Sequence, residues 1–197
     1  MRMTGTDRAE LTWTASLTVA QAASLWDVEP GYLNTSSYGP PPRPAWAALQ
    51  RSLNDWRAGR TSWEPWADAV AVARNRFAAM VGVEPTAVAT GAAVSQLLAP
   101  VAAAVPDGTR VLVPDVEFTS NVFPWAVHAD RGVTVRTAPV DRLADEIGPD
   151  VDVVAFSAVQ SATGEVADLA AISRAAREVD ALTDGHLPGD GLVADQP

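Results

Sequence analysis

The chain has 197 residues, 48% of them hydrophobic, which is enough for an α/β domain with its own core and too apolar for wholesale disorder. A formal net charge of -10 weighs against nucleic acid and anionic membrane surfaces as partners, because both need clustered cations. All 14 residues of the Lys+Arg count are arginine and there is no cysteine, so the sequence offers no lysine amine for covalent catalysis, no disulfide, no thiolate metal site and no cysteine nucleophile.

The first segment, Met1 to Leu17, carries arginine, aspartate and glutamate without a long apolar run, so neither a leader peptide nor a membrane span is expected there. A cytoplasmic location fits the absence of cysteine. Thr18 to Trp26 reads as a short helix, broken by Glu29-Pro30-Gly31. Tyr32 to Pro42 reads as a loop, since three consecutive prolines forbid a helix interior. Pro44 suits a first helical turn, and Trp46, Leu49, Leu53 and Trp56 then recur at helical spacing until Gly59. Trp66, Val70, Ala73, Phe77 and Met80 form a second apolar stripe, with Gly82 placed to end the helix.

From Ala87 the pattern changes to short β-rich runs separated by helical stretches, the mark of a parallel sheet with crossover helices. The expected strands are Ala87 to Ala89, Arg110 to Val113, Val133 to Thr137 and Val151 to Phe156. The intervening helices are expected over Val94 to Val105, Asn121 to Ala129, Arg142 to Ile147 and Asp168 to Val179. Beyond them, Thr183 to Gly191 is a run of turn formers and acids, so no further strand is expected and the sheet should stop short. The organisation expected is an arm over residues 1–42, a cofactor-binding domain over 43–180 and an irregular tail over 181–197.

Three loops follow expected strands. Thr90-Gly91-Ala92-Ala93-Val94-Ser95 opens a helix. It is either an ordinary small-residue turn or a phosphate loop whose free N–H groups and helix dipole hold an anion. It lacks the glycine pattern of dinucleotide folds and the Gly-Lys of a P-loop. Glu117-Phe118-Thr119-Ser120-Asn121-Val122-Phe123-Pro124-Trp125 is either a capped turn with core aromatics or a loop that lays Phe118 over a planar ring. Ser157-Ala158-Val159-Gln160-Ser161-Ala162-Thr163-Gly164-Glu165-Val166 is either a polar connection or a place where Gln160 and Ser161 reach a ligand. His128 and His186 have no triad partners, and no pair of acids has metal-ligand spacing.

In order and spacing these loops resemble those of the class V family of fold type I pyridoxal-phosphate enzymes, which includes cysteine desulfurases, kynureninases and isopenicillin N epimerase-like proteins. Tyr32-Leu33-Asn34 resembles that family's N-terminal segment. The Glu-Phe-x-Ser-Asn-x-x-Pro-Trp and Val-Gln-x-x-Thr-Gly-Glu strings resemble its second and third cofactor loops, and the likeness runs from about Tyr32 to Val179. The resemblance implies a mostly parallel α/β sheet flanked by helices, corresponding to part of the family's large domain. It also implies pyridoxal 5'-phosphate as cofactor, an amino acid as substrate and a homodimer.

By that resemblance Ala92 and Ala93 bind the cofactor phosphate through backbone N–H groups, Phe118 stacks on the ring, and Gln160 or Ser161 meets its oxygen side. Asn34 to Ser37, with Asn34 and Ser36 foremost, border the substrate. Two departures stand out. Ala93 has a methyl where many members have a threonine hydroxyl. The family's lysine, which holds the cofactor covalently, has no counterpart, so covalent attachment is impossible here and no catalytic residue is assigned. The family's aspartate for the ring nitrogen is left unassigned, since Asp184-Gly185-His186 follows only a fragment of a strand. Two functions are therefore expected as alternatives: a truncated class V aminotransferase-like protein, inactive as given, or a non-catalytic binding or regulatory protein that keeps the pocket loops.

Overall fold

A computed structural model describes residues 17–35, 37–187 and 191–194. The chain divides into two compact units, Met1–Thr61 and Ser62–Pro197.

In the first unit, α1 (Val19–Ala23) carries a capping box: the Thr18 hydroxyl accepts from Gln21 N, and the Gln21 side chain accepts from Thr18 N. The following loop is pinned by side chains. Trp26 Nε1 donates to Pro40 O at 2.8 Å, the Tyr32 hydroxyl donates to Tyr38 O at 2.7 Å, and Arg43 pairs with Asp27 at 2.8 Å. Helix α2 (Arg43–Arg57) begins with Pro44 in its first turn, as the sequence predicts, but its apolar stripe is uncovered: Trp56 is 65% exposed.

The second unit opens with α3 (Glu64–Val81), which ends where Gly82 adopts φ 77, a left-handed conformation that favours glycine. Of its residues only Ala78 is buried, so the stripe that predicts this helix is not covered by its own unit. The strand expected at Ala87 to Ala89 does not form. Pro85–Ala87 is a single 3-10 turn, and this segment takes no place in the sheet. Helix α4 (Val94–Ala104) then leads into β1 (Arg110–Pro114). After α5 (Thr119–Ala126) come β2 (Thr134–Ala138) and β3 (Val153–Ser157), followed by α6 (Leu169–Glu178). The helix expected at Arg142 to Ile147 is reduced to a 3-10 turn at Val140–Arg142, after which Leu143 and Ile147 still anchor the segment in the core.

The expectation that the sheet stops after α6 is corrected. Leu182–Leu187 forms β4, paired in parallel with β3, and Gly191–Ala194 forms β5, antiparallel to β4. The turn formers that argue against a strand are overridden by the exposed edge of β3, whose N–H and C=O groups need partners. The sheet order is β2-β1-β3-β4-β5, with the first four strands parallel.

Alternation along the strands divides the core in two. Val111, Val113, Val153 and Ala155 face Leu98 and Ala102 of α4 and Trp125 of α5. Leu112, Val154 and Phe156 face Leu143, Ile147 and Ile172 of α6. Each large side chain so buried contributes about 1.5–3 kcal/mol relative to exposure. The amino ends of β1 and β3 are stitched by an ion pair: Arg110 Nη2 and Nε meet Asp152 Oδ1 and Oδ2 at 2.7 and 2.9 Å, and Arg110 N donates to Oδ2 at 2.7 Å. The side-chain hydrogen bonds from Arg110 hold the Asp152 carboxyl below the ordinary carboxylate range, and the pairing raises Arg110 in turn. Among the described residues no helix is long and apolar enough to cross a membrane.

Candidate functional site

In an open parallel sheet the loops at the strands' carboxyl ends are the ones free to build a site. Here β1 and β3 are neighbours, so the loop leaving each lies beside the other. Glu117 joins them. Its Oε1 accepts from Phe118 N at 2.9 Å and from the Ser157 hydroxyl at 2.5 Å. Its Oε2 accepts from Ser157 N at 2.7 Å and from Gln160 Nε2 at 3.1 Å. An ionised carboxylate has about four lone-pair positions, and here four donors meet them, none of them a cation. Ser157 is the last residue of β3, and Phe118 is the residue before α5.

The β3–α6 loop is a small hairpin. Gln160 N donates to Glu165 O at 2.8 Å, Gly164 N to Gln160 O at 2.8 Å, and Ala167 N to Ala158 O at 3.0 Å, with Val159 and Val166 bridged antiparallel. Gly164 takes φ 75 at the tip, the left-handed conformation that such a tight reversal requires. Gln160 sits at the base, 1% exposed, with Nε2 also donating to Ser157 O at 3.3 Å, while Ser161 is exposed at the tip. Because both acceptors that face Gln160 are oxygens, its amide must turn Nε2 toward them. Its Oε1 is buried without a described partner. Phe118 is 57% exposed, so its ring offers a free face beside this junction.

The first loop lies at the start of α4. No side chain caps this helix, and its N-cap is Ala93, so the first-turn N–H groups are not taken by a cap. Ala92 N donates to Gln96 Oε1 at 3.2 Å, a neutral oxygen standing where an anion would accept. Gly91 lies against the helix so closely that a Cβ there would meet Leu97 Cδ2 at 2.8 Å. Arg74 of α3 holds the preceding stretch, donating from Nε to Val88 O at 3.1 Å and from Nη2 to Thr90 Oγ1 at 3.4 Å.

Of the residues singled out in the sequence, Phe118 and Gln160 are therefore joined through one carboxylate, with Ser161 on the same hairpin. Ala92 and Ala93 immediately precede α4, which packs along α5. Asn34 belongs to the first unit, where its carbonyl accepts from the Tyr32 hydroxyl at 3.1 Å and from Tyr38 N at 3.1 Å. Ser36 lies outside the described residues. His128 is half-buried ahead of a 3-10 turn, and among the described residues no cluster could hold a metal ion. Reading the sequence alone misses the role of Glu117. The available signal is a carboxylate placed three residues after the end of an apolar strand core, in the loop that leaves it. Also missed is the strand that carries Asp184, which β4 places opposite Ala155 of β3.

An open, mostly parallel sheet with helices on both faces and polar loops at its strand ends defines an α/β protein. The sequence profile of the class-V aminotransferases matches residues 50–184, and the chain belongs to that family. It is 34% identical to a probable cysteine desulfurase of Methanothermobacter thermautotrophicus over 38% of this chain and 21% of that protein. It is 28% identical to the uncharacterised aminotransferase YcbU of Bacillus subtilis over 66% of this chain and 39% of that protein. Among solved structures it shares its fold with the cystine C–S lyase C-DES in complex with its product cysteine persulfide, at a TM-score of 0.68 and 23% identity, covering 81% of this chain and 47% of that one. The matches thus span less than half the length of each of these proteins.

Proposed function

We propose that this chain is a pyridoxal-phosphate-binding portion of a class V aminotransferase-like protein that acts on an amino acid, and that these 197 residues bind the cofactor without covalent attachment because they contain no lysine. The observation that carries this reading is the Glu117 junction, which brings an exposed Phe118 ring and the Gln160–Ser161 hairpin together at the carboxyl ends of neighbouring strands. The residues fit the group. The uncapped start of α4, with Ala92 and Ala93, suits a phosphate; Phe118 suits a flat ring; Ser161 suits a ring oxygen, and Gln160 supports it. When bound, pyridoxal phosphate supplies an electron sink for chemistry at an amino acid's α-carbon. In this chain the residues' part is to bind and orient the cofactor.

A homodimer and a cytoplasmic location belong to the same proposal. The first is supported by the exposed apolar stripe of α2, and the second by the absence of cysteine. The lack of lysine also favours a second reading, a non-catalytic binding or regulatory protein that retains these loops. The test is titration with pyridoxal phosphate, followed by the circular dichroism of the bound cofactor. A saturable signal that Phe118→Ala weakens without altering the melt supports the reading, and no saturable signal refutes it. Borohydride treatment should leave no cofactor on any side chain. A monodisperse chain with a sharp melt that binds cofactor yet turns over no amino acid favours the regulatory alternative.

A further inference from the structure

We infer that Glu117 is a positioning residue that locks the Phe118 loop and the Gln160 hairpin into one preorganised surface; the inference rests on the cofactor reading above. Three observations support it. First, the carboxylate is the shared acceptor for both loops, with two donors on each oxygen at 2.5 to 3.1 Å. Removing it strands several donors at once, among them the N–H of Ser157, a residue only 4% exposed. Second, the charge has a reason to be there. An amide in its place would keep one accepting oxygen and turn an NH2 toward N–H and O–H donors, so only an ionised carboxylate satisfies all four. Third, the orientation of Gln160 follows from Glu117. With Nε2 drawn to the carboxylate and to Ser157 O, the hairpin base is fixed in one rotamer, and the exposed Ser161 tip is fixed with it.

Glu117 therefore acts through its neighbours. It sets the backbone at Phe118, from which the exposed ring projects, and the base of the hairpin that carries Ser161. Such preorganisation strengthens binding by reducing the ordering that a ligand must otherwise impose.

The experiment compares wild type, Glu117→Gln and Ser157→Ala, the last removing only the hydroxyl donor. Amide hydrogen exchange at Phe118 and Ser157 is followed in the chain without cofactor, beside a pyridoxal-phosphate titration read by circular dichroism. We expect exchange at both amides to quicken together in Glu117→Gln and cofactor affinity to fall by about tenfold, the scale of a lost hydrogen bond to a charged group. Ser157→Ala should show a smaller change of the same kind. Unchanged exchange at either amide, or unchanged cofactor affinity in Glu117→Gln, overturns the inference. If wild type does not bind pyridoxal phosphate yet both amides loosen together, the cofactor reading fails while the locking role of Glu117 stands.

Discussion

The strands β1 and β3 are tied at both ends by a carboxylate, and the two ties differ in kind. At the amino ends Asp152 meets the guanidinium of Arg110 and the charge is cancelled within the pair. At the carboxyl ends Glu117 meets only neutral donors, drawn from the adjacent loops that follow β1 and β3. The first tie joins the two strands at the end opposite the loops that could bind a ligand. The second spends a charge on orienting an exposed aromatic ring and a polar hairpin.

The contrast can be broken or sharpened by substitution. Phe156, 2% exposed and lying between the two ties, belongs to the shared core, and Phe156→Ala should destabilise by about 3–5 kcal/mol in chemical unfolding. A loss that large would remove both ties together and mark the scale against which they are judged. Ser157→Ala should cost about 1.5–3 kcal/mol, because its hydroxyl meets a charged oxygen at 2.5 Å and the site is buried.

The Asp152 tie should be distinguishable by pH. The folded carboxyl is held below its ordinary range, chiefly by the side-chain hydrogen bonds of Arg110, so its contribution is present above the unfolded value and fades as pH falls through the folded one. The urea midpoint of Asp152→Asn should therefore lie below wild type at neutral pH, and the gap should close in acid below the ordinary carboxylate range. A gap that persists there would show that packing, not charge, holds this end.

Asp168→Ala should cost about 1 kcal/mol, since its side chain accepts from Ala171 N at 2.9 Å and caps α6. Smallest of all, Trp56→Ala on the exposed stripe of α2 should change unfolding by no more than about 0.5 kcal/mol. Sedimentation is the informative measurement for that variant: if the stripe meets a second copy, association weakens while stability stays.

Much of this was legible in the residues. The runs Val111 to Val113 and Val153 to Phe156 are apolar on both faces, as strands buried on both faces by flanking helices are, so α/β architecture followed from local pattern. The apolar spacing of α2 and α3 also specified helices, because a 3.6-residue period shows itself within a few turns. Loops at the ends of those strands were likewise visible as candidate sites. What covers the stripes on α2 and α3 was not, since periodicity reports a face and not its partner.

Tertiary structure decided the rest. Leu182 to Leu187 has no strand pattern of its own and becomes β4 because β3 presents it with unpaired backbone groups. Ala87 to Ala89, with one β-branched residue between two alanines, stays out of the sheet, and Pro85–Ala87 forms a 3-10 turn instead. Glu117 and Ser157 are forty positions apart in sequence, and only the parallel pairing of β1 with β3 brings them within hydrogen-bond distance. Local propensity and hydrophobic period are properties of neighbouring residues and can be read from the chain. Which distant donor satisfies a given carboxylate is a property of the folded sheet alone.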